Sequence, residues 1–313
     1  MTWDPARLPD QTGRTIVVTG ATAGIGYFAA EQLAAAGADV VLASRSRTKL
    51  GLAEASIRRH VPGAAVRSVV IDLASLDSVS RASEELRALP RLDGVLLNGA
   101  AMSSRRDATT ADGLPLLLGT HVIANARLLA GILPALIETG RHHGAPTRVV
   151  HTSTGFVSQF RFDVGEIRDT PASWTGAYTH AKTVTEVFAF ELDRRLRASS
   201  LPVASIVVRP GVGVDAKTPE RSGIRDSSTP YQRNPFTPWA QGKDTAAWSA
   251  VRALTDPSAE GGQYYAPAGR FRGLPVQVEP LARTHTPPAE TARAVWDQIE
   301  EFAGIRLATL VSP

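Results

Sequence analysis

Short runs of apolar residues alternate with longer segments of helical periodicity along most of the chain. Runs of continuous apolar residues predict buried strands at residues 15–19, 38–43, 65–71, 94–97, 148–152 and 203–208, with a seventh at 263–265. The segments between them repeat their apolar positions at helical spacing and predict helices at residues 25–36, 49–60, 76–89, 119–138, 178–199 and 288–303. The pattern therefore alternates strand and helix.

The predicted strands consist mainly of unbroken valine, isoleucine and leucine rather than of alternating apolar and polar residues. Such strands are typical of a parallel sheet that helices cover on both faces. Strand and helix alternating at this spacing favour right-handed βαβ units, so we expect an α/β, doubly wound Rossmann fold with about seven parallel strands. No linker, repeat or low-complexity segment interrupts the pattern, and we expect residues 1–313 to form a single domain.

Two segments depart from this pattern. Residues 217–239 are rich in proline, serine and arginine, and they carry Tyr231, Phe236 and Trp239. A long loop of this kind is usually functional or disordered, so we expect a substrate-side lid at about 215–240, the alternative being a loop packed on the body or on a partner subunit. Residues 261–288 are rich in glycine and proline and precede a C-terminal helix at about 288–304.

Composition excludes several classes of protein and site. The chain has no cysteine, which excludes disulfides, thiolate metal sites and a cysteine nucleophile. Its histidines lack metal-binding spacing, so no metal site is expected. The net charge of +4 is too small to indicate nucleic-acid binding. Residues 1–14 lack the apolar core of a signal peptide, and His121, Asn125 and Arg127 interrupt the most apolar stretch, 114–137. We expect a cytoplasmic protein without membrane or nucleic-acid partners.

A glycine-rich turn lies between the first predicted strand and the first predicted helix. Glycine allows positive φ angles and lets the backbone approach a pyrophosphate closely, and the helix N-terminus then offers free N–H groups and a partial positive charge. This position, at the end of a strand near the N-terminus, is the context that a dinucleotide-binding turn requires. We expect the phosphates to contact the turn residues Gly20, Thr22, Ala23, Gly24, Ile25 and Gly26.

The spacing of these glycines, G-x-x-x-G-x-G, resembles that of the short-chain dehydrogenase/reductase superfamily, and the resemblance extends over about residues 13–270. It implies a nicotinamide dinucleotide as cofactor. Where NAD-binding folds usually carry an acid that bonds the ribose 2′-hydroxyl, the second strand ends in Ser44-Arg45. Arginine can hold a 2′-phosphate bidentately, which favours NADP(H); the alternative is an ordinary surface arginine. The resemblance further implies cofactor contacts from Asp72, Leu73, Asn98, Ala100, Pro210, Gly211 and Val212.

Tyr178 and Lys182 are similar to the family's Tyr-x-x-x-Lys motif. Residues four apart share one face of a helix, so the phenol and the ammonium project to the same side. We expect the lysine to lower the pKa of the phenol, which then serves as general acid or base. The resemblance also implies that Tyr178 and Lys182 contact the cofactor, the lysine through the nicotinamide ribose. It implies a hydroxyl that polarises the substrate carbonyl at Thr154, with Ser153 as the alternative one residue earlier.

Several positions depart from the family's pattern, namely Gly99, Ala101, His121, Thr154 and Asp215. In the related retinol-dehydrogenase-like branch, an asparagine that holds a proton-relay water stands where this chain has His121. An imidazole can also relay protons, or it can simply be packed in the core. Asp215 stands where the family tends to have threonine. Its carboxylate would either face the nicotinamide carboxamide or repel the phosphates.

These observations favour an NADP(H)-dependent oxidoreductase that transfers hydride between the nicotinamide and a carbonyl or alcohol of an apolar small molecule, aromatic or polyketide-like. The altered positions leave a second hypothesis open. It is a cyclase, dehydratase or isomerase of natural-product biosynthesis with no net redox change, or a nucleotide-dependent binding protein. The family resemblance also implies a homodimer or homotetramer.

Overall fold

An eight-stranded sheet forms the centre of the computed structural model, which describes residues 3–102, 105, 108–226 and 234–307. Its strands, in chain order, are β1 Thr15–Thr19, β2 Asp39–Ser44, β3 Val66–Val70, β4 Gly94–Leu97, β5 Thr147–Thr152, β6 Val203–Val208, β7 Tyr264–Pro267 and β8 Pro275–Gln277. They are arranged in the order β3-β2-β1-β4-β5-β6-β7-β8. The first seven are parallel and β8 is antiparallel to β7.

Helices cover both faces of this sheet. They are α1 Gly24–Ala35, α2 Arg47–His60, α3 Leu76–Arg87, α4 Leu116–His143, α5 Trp174–Ala198, α6 Lys243–Ala246, α7 Trp248–Thr255, α8 Ala282–His285 and α9 Ala289–Ala303. One apolar core packs α3, α4, α5 and α9 against one face, and a second packs α1, α2 and α7 against the other. The predicted doubly wound Rossmann fold is confirmed.

The structure differs from the prediction at several elements. Helix α5 begins at Trp174, four residues before the predicted start, because the Ser173 side chain accepts a hydrogen bond from the Gly176 N–H and caps the helix. Helix α7 was not predicted. Strand β8 was also missed, since it has three residues, begins with a proline and exposes two of its side chains.

Helix α4 is the most apolar helix of the described chain. By length and composition alone it could cross a membrane, but 78% of its most apolar window is buried inside the protein. A wider turn at Gly119–Ile123 interrupts its regular α-helical hydrogen bonding. This turn carries His121, whose side chain is 3% exposed.

The predicted lid is fastened to the body where the structure describes it. Arg221 forms an ion pair with Glu31 of α1 at 2.7 Å, and its guanidinium lies 5.5 Å from the centre of the Phe28 ring. Phe236 and Trp239 are exposed, whereas Tyr231 lies outside the described residues. Arg221 therefore fastens residues 215–226 to α1, the helix that follows the glycine turn.

Candidate active site

A cavity of about 390 Å³ lies at the carboxyl ends of β1, β2, β3 and β4. In open parallel sheets, ligands bind at this edge, where neighbouring strands lead to helices on opposite faces. Eight of the predicted cofactor residues line the cavity: Gly20, Thr22, Ala23, Ser44, Arg45, Asp72, Leu73 and Ala100. The folded chain thus brings together residues that are separated by up to 80 positions in the sequence.

The glycine turn has a shape that side chains would block. Gly20 has a φ of +68°, and a Cβ atom on it would lie 2.7 Å from the Cα of Gly99. A Cβ on Gly26 would lie 2.5 Å from the Gly20 carbonyl oxygen. Helix α1 begins directly after the turn without a side-chain cap or an acid in its first turn, so its N-terminal N–H groups suit a phosphate. These residues fit the pyrophosphate of a dinucleotide.

The close approach of two turns explains one departure from the family's pattern. A Cβ on Gly99 would lie 2.8 Å from the Gly20 nitrogen. The Thr19 hydroxyl accepts hydrogen bonds from the backbone N–H groups of Asn98 and Gly99, and the Asn98 amide donates to the Thr19 carbonyl at 3.3 Å. Gly99 is therefore required by packing in this chain and gives no sign of altered chemistry.

The end of β2 has the features that a 2′-phosphate site requires. The Ser44 and Thr22 hydroxyls lie 3.3 Å apart at the edge of the cavity. Arg45 follows them with an exposed side chain, and no ion pair joins it to an acid in the part of the chain that the structure describes. Its guanidinium is available for a bidentate contact with an anion.

The segment after β6 is held in place by the β7–β8 hairpin. Gly211 has a φ of +71°, and any Cβ there would overlap the carbonyl of Phe271. The Val212 N–H donates to that carbonyl at 2.9 Å, and the Pro210 carbonyl accepts from Gln241 at 2.8 Å. The three predicted nicotinamide-side residues are thus fixed at the carboxyl end of β6.

Helix α5 places Tyr178 among three other aromatic rings. The Trp174 ring stacks on the Tyr178 ring at 5.3 Å between centres, and the edges of His121 and Phe156 meet it at 5.4 and 6.4 Å. Burial raises the pKa of the Tyr178 phenol, and a hydrogen bond with the Thr154 hydroxyl opposes that effect. A phenol in this environment is neutral near pH 7 and holds a proton that it can donate.

Lys182 lies one helical turn further along and is 5% exposed. Its ammonium donates a hydrogen bond to the Thr152 carbonyl at 2.5 Å. Burial lowers the pKa of Lys182 to about 8, while the nearby Glu186 carboxylate partly opposes the shift. The expected net lowering of the Tyr178 pKa is not seen in this structure, because burial is the largest effect and raises that pKa.

Two neighbouring hydroxyls at the end of β5 have opposite surroundings. The Ser153 hydroxyl is 1% exposed and donates to the Glu186 carboxylate at 2.5 Å. The Thr154 hydroxyl, one residue later, lies near enough to the Tyr178 phenol to lower its pKa. Successive residues of an extended chain point to opposite sides, which explains the difference. The structure therefore places Thr154, and not the alternative Ser153, beside the phenol.

The two ring nitrogens of His121 differ: Nε2 donates a hydrogen bond, whereas Nδ1 lacks a partner among the described residues. Its Nε2 lies 3.0 Å from the Ala101 carbonyl, and because a carbonyl only accepts, that nitrogen carries the proton. Burial, and secondly the Lys182 charge, hold the pKa of His121 well below its usual range. Its buried Nδ1 has no partner among the described residues. The ring is both packed against Tyr178 and chemically able to accept a proton.

Asp215 is paired with cations. Its carboxylate lies 2.5 Å from the Lys243 ammonium and 3.6 Å from the Arg225 guanidinium. Sequence reasoning missed these two cations because nothing in the local pattern links them to Asp215. It also missed Glu186, although the spacing of four from Lys182 was a usable signal.

A second, smaller cavity of about 210 Å³ lies beside the aromatic rings around Tyr178. Its walls come from α4, from the start of α5 and from the segments before these two helices. They combine polar residues with apolar ones, namely Arg105, Thr170 and Ser173 with Ala108, Pro115, Leu116, Leu117, Pro171, Ala172, Trp174 and Ala177. Among the described residues, no group of three or more histidines and acids could hold a metal ion. Tyr178, Thr154, Lys182 and His121 can supply hydrogen bonding and proton transfer at this site.

Comparison with known proteins places these residues in a family context. The family model described as short chain dehydrogenase matches residues 14–152. The chain is 32% identical to polyprenol dehydrogenase of Mus musculus, over 97% of this chain and 86% of that protein. It is 27% identical to retinol dehydrogenase 13 of Mus musculus, over 95% and 85%.

Solved structures agree with the fold. An uncharacterized protein from Mycobacterium Paratuberculosis superposes with a TM-score of 0.75 at 25% identity, covering 98% of this chain and 99% of that one. A short chain dehydrogenase from Escherichia coli CFT073, complexed with NADPH, gives a TM-score of 0.62 at 23% identity, over 82% and 97%.

Proposed function

The chain belongs to the short-chain dehydrogenase/reductase family, and from this premise we propose that it is an NADP(H)-dependent oxidoreductase acting on a carbonyl or alcohol of an apolar small molecule. The observation that carries the proposal is the placement of the Thr154 hydroxyl near the Tyr178 phenol, whose pKa it lowers, with the buried Lys182 one turn further along the helix of Tyr178. A carbonyl oxygen that receives both hydroxyl protons as hydrogen-bond donors is polarised for attack.

The cofactor assignment is supported by the cavity at the strand ends. The glycine turn suits the pyrophosphate, and Ser44 with the exposed Arg45 suits a 2′-phosphate. The NADPH complex of the structurally similar Escherichia coli protein agrees with this assignment. Bound NADPH would supply the hydride for reduction of a carbonyl carbon, and Tyr178 and Lys182 would contact the nicotinamide and its ribose.

The protein's own residues supply the proton and the geometry. In the reducing direction the neutral Tyr178 phenol donates its proton to the carbonyl oxygen as hydride reaches the carbon, giving an alcohol. Thr154 holds the oxygen, and Lys182, while charged, stabilises the phenolate that Tyr178 becomes. The oxidising direction uses the same groups with the proton returning to Tyr178.

The smaller cavity supports the proposed substrate class. Its leucine, proline, alanine and tryptophan side chains would contact an apolar molecule, aromatic or polyketide-like, while Thr170 and Ser173 offer hydroxyls to its oxygen atoms. Two relatives are named for polyprenol and retinol, which are apolar alcohols. A cytoplasmic location, a homodimeric or homotetrameric assembly and the lack of membrane or nucleic-acid partners stay predictions.

The test is NADPH consumption with a panel of apolar aldehydes and ketones. Tyr178→Phe keeps the ring but removes the acid, so the rate should fall about 10²–10⁴-fold while NADPH still binds. Tyr265→Phe is the matched control, because that hydroxyl bonds only Gln263 in the described chain and lies on the far strand β7. Full activity of Tyr178→Phe would remove this residue from the mechanism.

The alternative without net redox change is supported by one observation, the unpaired Nδ1 of His121 beside the Tyr178 ring. A neutral buried base there could abstract a proton from a substrate carbon in a cyclase, dehydratase or isomerase of natural-product biosynthesis. The same assay separates the two functions. Product formed without NADPH consumption supports the alternative, and neither product nor consumption, with nucleotide bound, supports a nucleotide-dependent binding protein.

A further inference from the structure

Asp215 holds two cations at once in the segment that follows β6. Its carboxylate lies 2.5 Å from the Lys243 ammonium and 3.6 Å from the Arg225 guanidinium. The three side chains are largely but not fully buried, with exposures of 16% for Asp215, 28% for Lys243 and 21% for Arg225. One carboxylate cannot neutralise two cations, so the cluster keeps a net positive charge.

The Lys243 side chain lies beside Gly24, the glycine at which the turn enters α1. A Cβ atom on Gly24 would be 3.7 Å from the Lys243 Cδ, and one on Gly213 would be 3.2 Å from its Cγ. The Lys243 backbone N–H donates to the Thr218 hydroxyl at 2.9 Å. The aliphatic part of the side chain therefore runs between the segment after β6 and the first residue of α1.

The surrounding chain is attached to α1 at two further points. The Gln32 amide donates to the Asp244 carbonyl at 2.8 Å, and Arg221 makes two hydrogen bonds with the Glu31 carboxylate, at 2.7 and 2.8 Å. Because both contacts anchor the segment on the helix that carries the turn, Lys243 keeps its position relative to that turn.

We propose that Lys243 binds the pyrophosphate of the dinucleotide, with Asp215 holding its ammonium beside the glycine turn. The inference rests on the proposed function, since it takes the glycine turn as the pyrophosphate site. A pyrophosphate carries two negative charges at neutral pH, and the helix N-terminus and the net positive cluster match them from two sides. Asp215, which alone would repel the phosphates, is screened by its two cations.

The proposal gives two cations of the site separate tasks. Arg45 lies at the end of β2, where the proposed function puts the 2′-phosphate, so it should distinguish NADPH from NADH. Lys243 lies beside the turn that both dinucleotides share, so it contributes equally to both. The two roles can be separated by binding measurements without any substrate.

The experiment measures dissociation constants by calorimetry for NADPH, NADH and adenosine 2′-monophosphate, which lacks a pyrophosphate. Lys243→Met should weaken NADPH and NADH alike, by about fivefold to fiftyfold for a lost charge-assisted contact, and leave adenosine 2′-monophosphate unchanged. Added salt should weaken dinucleotide binding less in this variant than in the wild type. Arg45→Ala should show the reverse selectivity, weakening NADPH and adenosine 2′-monophosphate but not NADH.

Lys217→Met is the matched control. This lysine lies in the same segment, but its ammonium donates to the backbone carbonyls of Pro238 and Ala240, so its loss should change dinucleotide affinity by less than about twofold. A similar loss in both lysine variants would assign the effect to loop packing and overturn the proposal. So would unchanged dinucleotide affinity in a folded Lys243→Met protein, with Lys243→Gln as the replacement should the methionine variant not fold. If the wild type binds neither dinucleotide, the proposed function itself fails, a result distinct from either of these.

Discussion

At the scale of single residues, the contrast between Ser153 and Thr154 has the clearest consequence. The Ser153 hydroxyl donates a hydrogen bond to the buried Glu186 carboxylate, whereas the Thr154 hydroxyl lies near the Tyr178 phenol and lowers its pKa. Both are small hydroxyl residues at the end of the same strand, so only the direction of each side chain assigns a role to it.

We predict that Thr154→Val lowers turnover about 10²–10³-fold, because it removes a positioned donor to the carbonyl oxygen while keeping the shape. Ser153→Ala should keep most of the turnover and lower the free energy of unfolding instead, by about 1–3 kcal/mol, since it leaves the Glu186 carboxyl short of a buried partner. Steady-state kinetics and urea unfolding of both variants check this. A nearly inactive Ser153→Ala beside a normal Thr154→Val would reverse the assignment.

The buried Lys182 predicts an alkaline limit to activity. Its pKa is about 8, lowered from 10.5 by burial, so the ammonium is charged below that pH and neutral above it. The pKa of Tyr178 is shifted the other way, so the phenol stays protonated over the same range. Reductive kcat/KM should therefore fall as the pH rises through about 8. Lys182→Arg should move this fall to higher pH, because a guanidinium stays charged. An alkaline limb that is identical in the two proteins would exclude Lys182 as its origin.

At the scale of elements, helix α9 is tied to helix α4 through its C-terminal carbonyls. Arg127 of α4 donates to the carbonyls of Ala303 and Gly304 at 3.0 and 2.8 Å, and to the Ser80 hydroxyl of α3 at 3.0 Å. The last carbonyls of a helix lack partners within it and carry partial negative charge, which a guanidinium satisfies. One side chain thus joins three helices on the same face of the sheet.

We predict that Arg127→Met lowers the free energy of unfolding by about 1.5–3 kcal/mol, the usual range for hydrogen bonds to a charged group. NADPH affinity should not change, because α9 packs on the opposite face from the glycine turn and its helix α1. Arg141→Met, at the exposed end of the same helix, is the control for loss of an arginine alone. Equal urea midpoints for the two variants would contradict the capping role.

At the scale of the whole molecule, the core encloses three histidines in neutral form. His121, His151 and His180 are all buried, and burial lowers the pKa of each. For His151, which lies 3.2 Å from the Ser205 hydroxyl, the pKa falls to about 3. The unfolded chain binds a proton on each of these side chains near pH 6.5, whereas the folded chain does not.

The contribution of these histidines to stability should therefore be complete above about pH 6.5 and fall as the pH drops below it, with a slope of up to about 1.4 kcal/mol per pH unit for each buried histidine. His151→Gln should reduce that slope by the share of one histidine. His142→Gln, at the exposed end of α4, should leave it unchanged. Urea unfolding at about pH 7 and about pH 5 checks both. Equal slopes in the wild type and His151→Gln would show that His151 is protonated in the folded state.

The sequence by itself determined the parallel Rossmann sheet, the glycine turn and the shared face of Tyr178 and Lys182. Each depends on residues that are close in the chain, since strand burial and helical spacing are written in runs of 4 to 20 residues. The short antiparallel β8 escaped because three residues with a proline carry too little periodicity. The early start of α5 could have been found from the capping serine, Ser173.

Tertiary structure alone decided how the departures from the family's pattern are to be understood. Gly99 is explained by its contact with Gly20, and Asp215 by Lys243 and Arg225. The bond to Glu186 likewise turns Ser153, the alternative to Thr154, away from Tyr178. These partners come from other strands, helices and loops, and no local pattern specifies which distant side chain meets which. Their pairing depends on the path of the chain between elements and on burial, which also sets the pKa values of Tyr178 and Lys182. Local spacing placed the catalytic groups on one face, and the packing around them set their charge and their partners.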